Sequence, residues 1–147
     1  MEIFDMTSEH DYWEEVADFA ERCSWDTGKV LAERMRKNDF KADERVFAVF
    51  EKGKPVDFCT LTDKDALPPK YLYKPFIGFV FVDEMFRGSR ISEKMIEAVK
   101  AYSRMNGYGR IYLTSGEKGL YEKYGFVKLG DYETIYGTVE QLYYIVS

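Results

Sequence analysis

The sequence has few of the residues that build disulfide scaffolds and metal centres. Its 147 residues include two cysteines, Cys23 and Cys59, and one histidine, His10. The cysteines form no Cys-x-x-Cys pair, and no cysteine and histidine cluster has the spacing of a zinc site. These shortages exclude a disulfide framework, and we expect no bound metal. Both cysteines lie in apolar periodic segments, which predicts buried, apolar side chains, whereas His10 is expected at the surface.

The sequence also has no long apolar run and no excess of positive charge. No segment approaches the ~20 apolar residues that cross a bilayer, and the acidic N-terminus is unlike a secretory leader. The formal net charge is −5, whereas a general nucleic-acid binder needs a basic face to displace counterions from phosphates. We therefore expect a cytoplasmic protein that binds neither membranes nor nucleic acid.

What is present suffices for one packed core. Hydrophobic residues make up 46% of the chain and aromatic residues 17%, and the length suits a single domain over residues 1–147. Apolar periodicity in the first half predicts helices that begin near Ser8 and Thr27. Strands are predicted over residues 1–6, 46–50, 56–61 and 75–82, the middle two forming a hairpin. Residues 62–74 are polar and are expected to form an exposed loop.

The second half predicts two more helices and three more strands. The third helix covers residues 89–106 and ends at Gly107 and Gly109, and a short fourth helix covers residues 117–124. Strands are expected over residues 111–113, around 126–128, and over 141–146. The order is β-α-α-β-β-β-α-β-α-β-β, which predicts a mixed α/β fold with six to seven strands and four helices.

Residues 79–96 form the segment that best indicates a function. An apolar strand ending at Val82 leads into a short loop with Arg87 and Gly88, and a helix follows at once. The N-terminus of a helix exposes unpaired backbone N–H groups and the positive end of the helix dipole, so it suits a phosphate group. Gly88 permits a tight turn, and Arg87 and Arg90 add positive charge. Alone, the segment is equally compatible with an ordinary strand–helix connection and two solvated arginines.

A second motif, over residues 112–126, favours the phosphate interpretation. Thr114 and Glu117 have the spacing of a capping box, and Gly125 is placed to end a helix of two or three turns. Together the motifs resemble the GNAT superfamily of N-acetyltransferases. The resemblance lies in Val82, in Arg87-Gly88-Ser89-Arg90-Ile91-Ser92, and in Leu120-Tyr121-Glu122-Lys123-Tyr124-Gly125-Phe126. The element order also agrees with the family.

The resemblance implies an enzyme that uses acetyl-coenzyme A as co-substrate. An amine of a small molecule or peptide would attack the thioester directly, without a covalent enzyme intermediate. Tyr121 matches the family tyrosine that protonates the departing thiolate. Coenzyme contacts are implied for eight residues: Val82, Arg87, Gly88, Ser89, Arg90, Ile91, Ser92 and Thr114. Dimerisation is compatible with the family, although no residue argues for it.

Three positions depart from the family pattern. Arg90 stands where the family usually has Gly, Ser92 where it has Gly or Ala, and Thr114 near a position that often holds Asn. We expect Arg90 to keep its N–H available and to direct its side chain towards the phosphates. Tyr124 competes with Tyr121 for the catalytic role but is expected to pack with Phe126.

The general base is not selected by the sequence. Candidate carboxylates are Asp57, Asp63, Asp65, Asp83 and Glu84, and nothing in their spacing distinguishes one from the others. Three alternatives to the amine acetyltransferase stay open. They are a module of the same fold that binds coenzyme A or another phosphate ligand without turnover, an interaction module without a ligand, and an acyltransferase with a longer acyl donor or an oxygen acceptor.

Overall fold

The structure, a computed structural model, describes residues 1–88 and 90–147. The seven strands are β1 (Glu2–Met6), β2 (Arg45–Glu51), β3 (Lys54–Thr62), β4 (Phe76–Val82), β5 (Arg110–Ser115), β6 (Val127–Glu133) and β7 (Val139–Val146). The α-helices are α1 (Trp13–Arg22), α2 (Thr27–Arg36) and α3 (Ile91–Met105). The strands form one sheet in the order β1-β2-β3-β4-β5-β7-β6. The predicted mixed α/β class and the order of the strands along the chain are confirmed.

The predicted fourth helix is wrong as an α-helix. Only a short 3-10 helix, Tyr121–Tyr124, forms within residues 117–124. Gly119 has a φ of 83°, and this left-handed conformation interrupts a right-handed helix before it can lengthen. The expected capping box is replaced by a local turn, in which the Glu117 N–H donates to the Ser115 hydroxyl at 3.0 Å. A polar cap and a glycine-rich stretch therefore produce a turn here.

The first helix begins later than its apolar pattern suggests. It starts at Trp13, and residues 7–12 form turns in which His10 N–H donates to the Thr7 carbonyl. Nδ1 of His10 accepts the N–H of Tyr12 at 3.1 Å, and the imidazole lies 5.2 Å from the ring of Phe4. His10 is consequently half-buried, whereas the sequence predicted a surface residue. The second helix starts at Thr27, within one residue of the predicted start, and Asp26 is its N-cap residue.

Residues Met1–Leu61 and Phe79–Val99 form one compact unit. Its core is built by α1 and α2 against β1, β2 and β3, and its fully buried side chains include Val16, Leu31 and Phe58. Gly28 allows the two helices to approach closely, because a Cβ at that position would lie 2.2 Å from the Ala20 carbonyl oxygen. The helix pair is thus fixed at the distance that only glycine permits.

Strand β3 is buried on both faces, and the side chains on its two faces have different chemistry. Phe58 points to the side of α1 and α2, where its ring contacts Phe19 and Phe81. Asp57 and Cys59 point to the opposite face, and both have no exposed surface. Burial raises the pKa of the Cys59 thiol above its usual range. Cys59 is therefore buried as predicted, and Cys23 is half-buried.

Residues Thr62–Gly78 and Lys100–Ser147 form the second compact unit. Within it β7 pairs with both β5 and β6 in antiparallel fashion. The segment predicted as an exposed loop is only partly exposed, since Ala66 and Leu67 are buried and the Ile135 N–H donates to the Ala66 carbonyl at 2.8 Å. Among the described residues no helix is both long and apolar enough to cross a membrane.

Candidate active site

The end of β4 is held in place by Asp83, the first residue after the strand. The Asp83 N–H donates to the Val56 carbonyl at 3.0 Å and to Oδ1 of Asp57 at 3.3 Å. Oδ1 of Asp83 in turn accepts the N–H of Met85 at 3.0 Å and caps the 3-10 helix Glu84–Phe86. The strand end and the loop that follows it are therefore tied to β3.

The loop then turns through Arg87 and Gly88. Nε of Arg87 donates to the Val82 carbonyl at 3.2 Å, so the exposed side chain folds back over the end of β4. Gly88 has a φ of 79°, a conformation that strains any residue with a Cβ. The predicted role of Gly88 in the turn agrees with this geometry. Ser89, a predicted coenzyme contact, lies outside the described residues.

The first turn of α3 follows the loop directly. The Arg90 carbonyl accepts the N–H of Lys94 at 3.1 Å, which places Arg90 immediately before the first helical residue, Ile91. The Arg90 side chain is 85% exposed, and its Nε lies 3.6 Å from a carboxylate oxygen of Glu93. Ser92 is buried, so its small side chain faces the protein. The N-terminus of a 15-residue helix thus stands at the end of the loop, as the phosphate interpretation requires.

Asp57 is the carboxylate that the structure singles out among the five candidates. Its side chain is completely buried, and Oδ2 has no hydrogen-bond partner among the described residues. Burial, reinforced by the nearby charge of Asp83, raises the pKa of Asp57 from 3.8 to about 7 despite the N–H that it accepts. The available signal was a lone acidic residue within the apolar run of residues 56–61. The sequence did not single out Asp57, because the apolar run alone does not show that both faces of this strand are buried.

A groove lies between the end of α1 and the end of β4. Its volume is about 320 Å³, and its lining includes Phe19, Arg22, Cys23, Phe81, Asp83 and Glu84. Trp25 stacks on the Phe81 ring at a centroid distance of 6.4 Å, and the ring of Phe79 contacts Trp25 edge-on at the same centroid distance. An aromatic wall and two carboxylates therefore meet beside the predicted coenzyme loop.

Phe79 interrupts the regular geometry of β4. Its φ is 48°, a left-handed conformation that costs a residue other than glycine roughly 1–2 kcal/mol. Strain of this kind within a strand turns backbone groups away from the regular ladder, and it is found preferentially at functional sites. Nothing in the sequence marks this position, because phenylalanine has no preference for positive φ.

Tyr121 lies in the second compact unit, on the 3-10 helix, and is 9% exposed. Its ring packs edge-on against Phe126 at a centroid distance of 5.8 Å and lies 6.1 Å from the ring of Tyr143. The ring of Tyr121 therefore packs against Phe126, the residue with which Tyr124 is also predicted to pack. Gly125, with a φ of 95°, ends the turn.

Thr114, the remaining predicted contact, lies on β5. Its hydroxyl donates to Oδ2 of Asp65 at 3.4 Å. Nearby, Nε2 of Gln141 donates to the Glu117 carbonyl at 3.1 Å, and the Tyr143 hydroxyl donates to Oε1 of Gln141 at 2.8 Å. Burial is the main cause that raises the pKa of Tyr143 to about 12. These bonds fix the turn between β5 and Tyr121.

Residues 42–128, more than half of the chain, match the family model described as an acetyltransferase (GNAT) domain. The chain belongs to the GNAT acetyltransferase family. This membership confirms the resemblance that the two motifs carry, and it supports acyl transfer as the general chemistry. No curated protein matches the chain at a significant level.

Solved structures of other GNAT proteins share this fold over nearly the whole chain. An aminoglycoside 6'-acetyltransferase type Ii is 14% identical with a TM-score of 0.75, over 99% of this chain and 97% of that chain. An aminoglycoside 6'-N-acetyltransferase complexed with coenzyme A is 13% identical, with a TM-score of 0.73 and the same coverage. A GNAT acetyltransferase from Streptococcus pneumoniae is 16% identical, with a TM-score of 0.70 over 99% and 98% of the two chains. At these identities the likeness concerns the fold.

Proposed function

We propose that the chain transfers an acetyl group from acetyl-coenzyme A to a primary amine by direct attack within a ternary complex. The observation that carries the proposal is the junction of β4 and α3, where Gly88 at a φ of 79° leads into the N-terminus of a 15-residue helix. Backbone N–H groups of residues 87–92 would hold the pyrophosphate there, and the helix dipole would favour its negative charge.

The two arginines, Arg87 and Arg90, would differ in how strongly they bind the phosphates. Arg87 donates from Nε to the Val82 carbonyl, which fixes the loop and leaves its two Nη groups available to a phosphate oxygen. Arg90 is exposed and its Nε lies 3.6 Å from a carboxylate oxygen of Glu93, so a contact with an outer phosphate would add little binding free energy. We therefore assign the pyrophosphate mainly to the backbone and to Arg87.

The backbone near Val82 and the irregular residue Phe79 would bind the pantetheine arm and the thioester. One preorganised N–H donor to a developing oxyanion contributes on the order of 10²–10³ in rate. Tyr121 would protonate the departing thiolate, because a tyrosine phenol has an ordinary pKa close to 10 and matches an aliphatic thiol well enough for nearly balanced proton transfer.

The base that removes a proton from the acceptor stays unassigned. Asp57 has a pKa of about 7, a value suited to a base, but its side chain is completely buried and points away from Phe58 and the groove. An amine in the groove cannot reach it directly. Asp83 and Glu84 line the groove itself, and they would attract a cationic acceptor to it.

The test is a comparison of two tyrosine variants, Tyr121→Phe and Tyr124→Phe, in an assay of thiol release from acetyl-coenzyme A with a panel of amines. Because phenylalanine keeps the packing against Phe126, Tyr121→Phe should lower kcat by about 10²-fold or more with little change in coenzyme affinity. Tyr124→Phe is the matched control and should keep kcat within about threefold. Equal kcat in the two variants contradicts the assignment of Tyr121, and coenzyme binding without thiol release from any amine favours the non-catalytic binding module.

A further inference from the structure

Arg34, on α2, contacts two aromatic rings with its guanidinium. Its Cζ lies 5.0 Å from the ring centroid of Phe40 and 5.8 Å from that of Phe79. The turn after α2 creates this arrangement, because Asn38 takes a φ of 49° and the Asp39 N–H donates to the Arg34 carbonyl at 3.0 Å. The guanidinium is therefore preorganised by the way the helix ends.

The hydrogen-bonding capacity of this guanidinium is largely unused by the protein. A guanidinium has five N–H donors, and Nη2 of Arg34 donates to the Asp39 carbonyl at 3.3 Å. Nε is buried and has no hydrogen-bond partner among the described residues. The nearest carboxylate oxygen, Oδ2 of Asp39, is 3.9 Å from Nε and belongs to a side chain that is 76% exposed. Most N–H donors of this guanidinium therefore have no protein acceptor among the described residues.

The position of Arg34 separates it from the proposed phosphate site. Its neighbour Phe79 lies three residues before Val82, and a strand rises about 3.3 Å per residue, so roughly 10 Å of β4 separates this point from the start of the loop. The pyrophosphate at residues 87–92 is therefore not the natural partner of Arg34. Phe79 is instead the strained residue beside which the thioester, and hence the acceptor, is proposed to lie.

We infer that Arg34 is a specificity-determining residue that binds a carboxylate on the acceptor, so that the preferred acceptor is an amine that also carries a carboxylate. The inference rests on the proposed function, and it adds the substrate class. A planar guanidinium matches a carboxylate through two parallel N–H···O bonds. Because Nε is buried, the edge that a ligand can reach is that of the two Nη groups, on a side chain that is 30% exposed. Phe79 and Trp25, whose rings lie 6.4 Å apart, form the apolar wall beside it.

The test compares acceptors that differ only in the anionic group. Linear ω-amino acids of three to six carbons are each paired with the amino alcohol of the same length, so that the remote amine keeps nearly the same pKa. The wild-type enzyme should show a higher kcat/KM for the amino acid of at least one pair. Arg34→Gln should lower that kcat/KM by about 10–100-fold, the usual range for a charged hydrogen-bonded pair, and leave the amino alcohol within about threefold.

Two further variants separate recognition from folding. Arg36→Gln is the matched control, because Arg36 is on the same helix but pairs with Asp18 and Glu21 on α1. It should change neither acceptor by more than about threefold. Arg34→Lys keeps the charge without the planar edge and should recover part of the preference for the amino acid.

The outcomes distinguish this inference from the proposed function. Equal losses for the amino acid and the amino alcohol, or no loss for either, overturn the role of Arg34 while acetyl transfer stands. If no amine of the panel is acetylated, the proposed function fails, and calorimetric titration of the coenzyme-bound protein with the ω-amino acids still tests Arg34. In that titration, equal affinity of wild type and Arg34→Gln overturns the inference, and a loss of about tenfold or more supports it.

Discussion

Asp57 shows how a single residue acquires unusual chemistry from its surroundings. It is a carboxylate on a buried strand whose other buried residues are apolar or threonine, and it accepts a hydrogen bond from the Asp83 N–H at 3.3 Å. That N–H favours the charged form, but the loss of solvation outweighs it and raises the pKa of Asp57 to about 7. Asp57, which anchors the end of β4, therefore lowers the free energy of unfolding near neutral pH.

The pH dependence of stability tests this account of Asp57. With a pKa raised from 3.8 to about 7, the folded state keeps a proton that the unfolded state loses, so the free energy of unfolding falls as pH rises between these values and is level above them. Asp57→Asn does not titrate and keeps an oxygen for the Asp83 N–H. Its free energy of unfolding relative to wild type should therefore increase with pH, by at most about 4 kcal/mol, when measured by urea denaturation from pH 4 to pH 8.

An exposed aspartate provides the control for that experiment. Asp26 has a fully exposed side chain, and Asp26→Asn should show a difference from wild type that changes little over the same pH range. A pH-independent difference for Asp57→Asn as well would contradict the raised pKa.

Arg34 and Phe79 show a different limit of sequence reasoning at this scale. Neither residue stands out in the sequence, because the environment of Arg34 depends on the left-handed turn at Asn38 and that of Phe79 on a strained backbone. By contrast, Gly88 could be assigned from the sequence, since glycine is the residue expected where φ is positive. Residues are predictable where their type restricts the backbone, and much less so where tertiary contacts impose an uncommon conformation.

At the scale of elements, the β4–loop–α3 junction is the feature on which coenzyme binding is proposed to depend. Its backbone is set by Gly88, and its start is tied to β3 through Asp83. If phosphate binding relies on backbone N–H groups, a change that strains this backbone should weaken coenzyme binding even though it removes no side chain. Glycine substitutions provide that test.

Gly88→Ala and Gly53→Ala form a matched pair. Gly88 has a φ of 79° and Gly53, in the turn between β2 and β3, a φ of 78°, and a Cβ at either position would meet no atom within 4 Å. Each substitution should cost roughly 1–2 kcal/mol of stability through backbone strain alone. In calorimetric titration with acetyl-coenzyme A, Gly88→Ala should raise Kd by about 5–30-fold, and Gly53→Ala should leave it unchanged.

One outcome of this pair of titrations would contradict the proposed role of the loop backbone. Unchanged affinity in Gly88→Ala, at a stability cost equal to that of Gly53→Ala, would mean that the loop does not hold the coenzyme through its backbone.

Elements also differ in how well their sequences specify them. The helix beginning at Thr27 and the strand ending at Val82 were predicted to within one residue, because the apolar pattern is clear in both segments. The fourth helix was wrong, because Gly119 breaks a segment too short to be stabilised by packing. The length of β6, residues Val127–Glu133, was underestimated, since most of its side chains are exposed and carry little apolar signal.

At the scale of the whole molecule, the order of elements was sufficient to predict the mixed α/β class. The GNAT family was identified from two motifs, and the family model and the fold of solved structures agree with it. The acceptor could not be predicted, because the groove beside Phe81 and the guanidinium of Arg34 result from packing between segments far apart in sequence. Family membership thus supplies the reaction class, and the individual side chains of this chain determine its substrate.

The central claim is that this chain catalyses acetyl transfer from acetyl-coenzyme A to an amine. The most direct measurement incubates the wild-type protein with acetyl-coenzyme A and the amine panel, and follows both the free thiol and the mass of the amine product. The account predicts that thiol and acetylated amine appear in equal amounts, and that both depend on Tyr121. Binding of acetyl-coenzyme A with no acetylated amine from any member of the panel, or thiol release that is independent of amine, would contradict it.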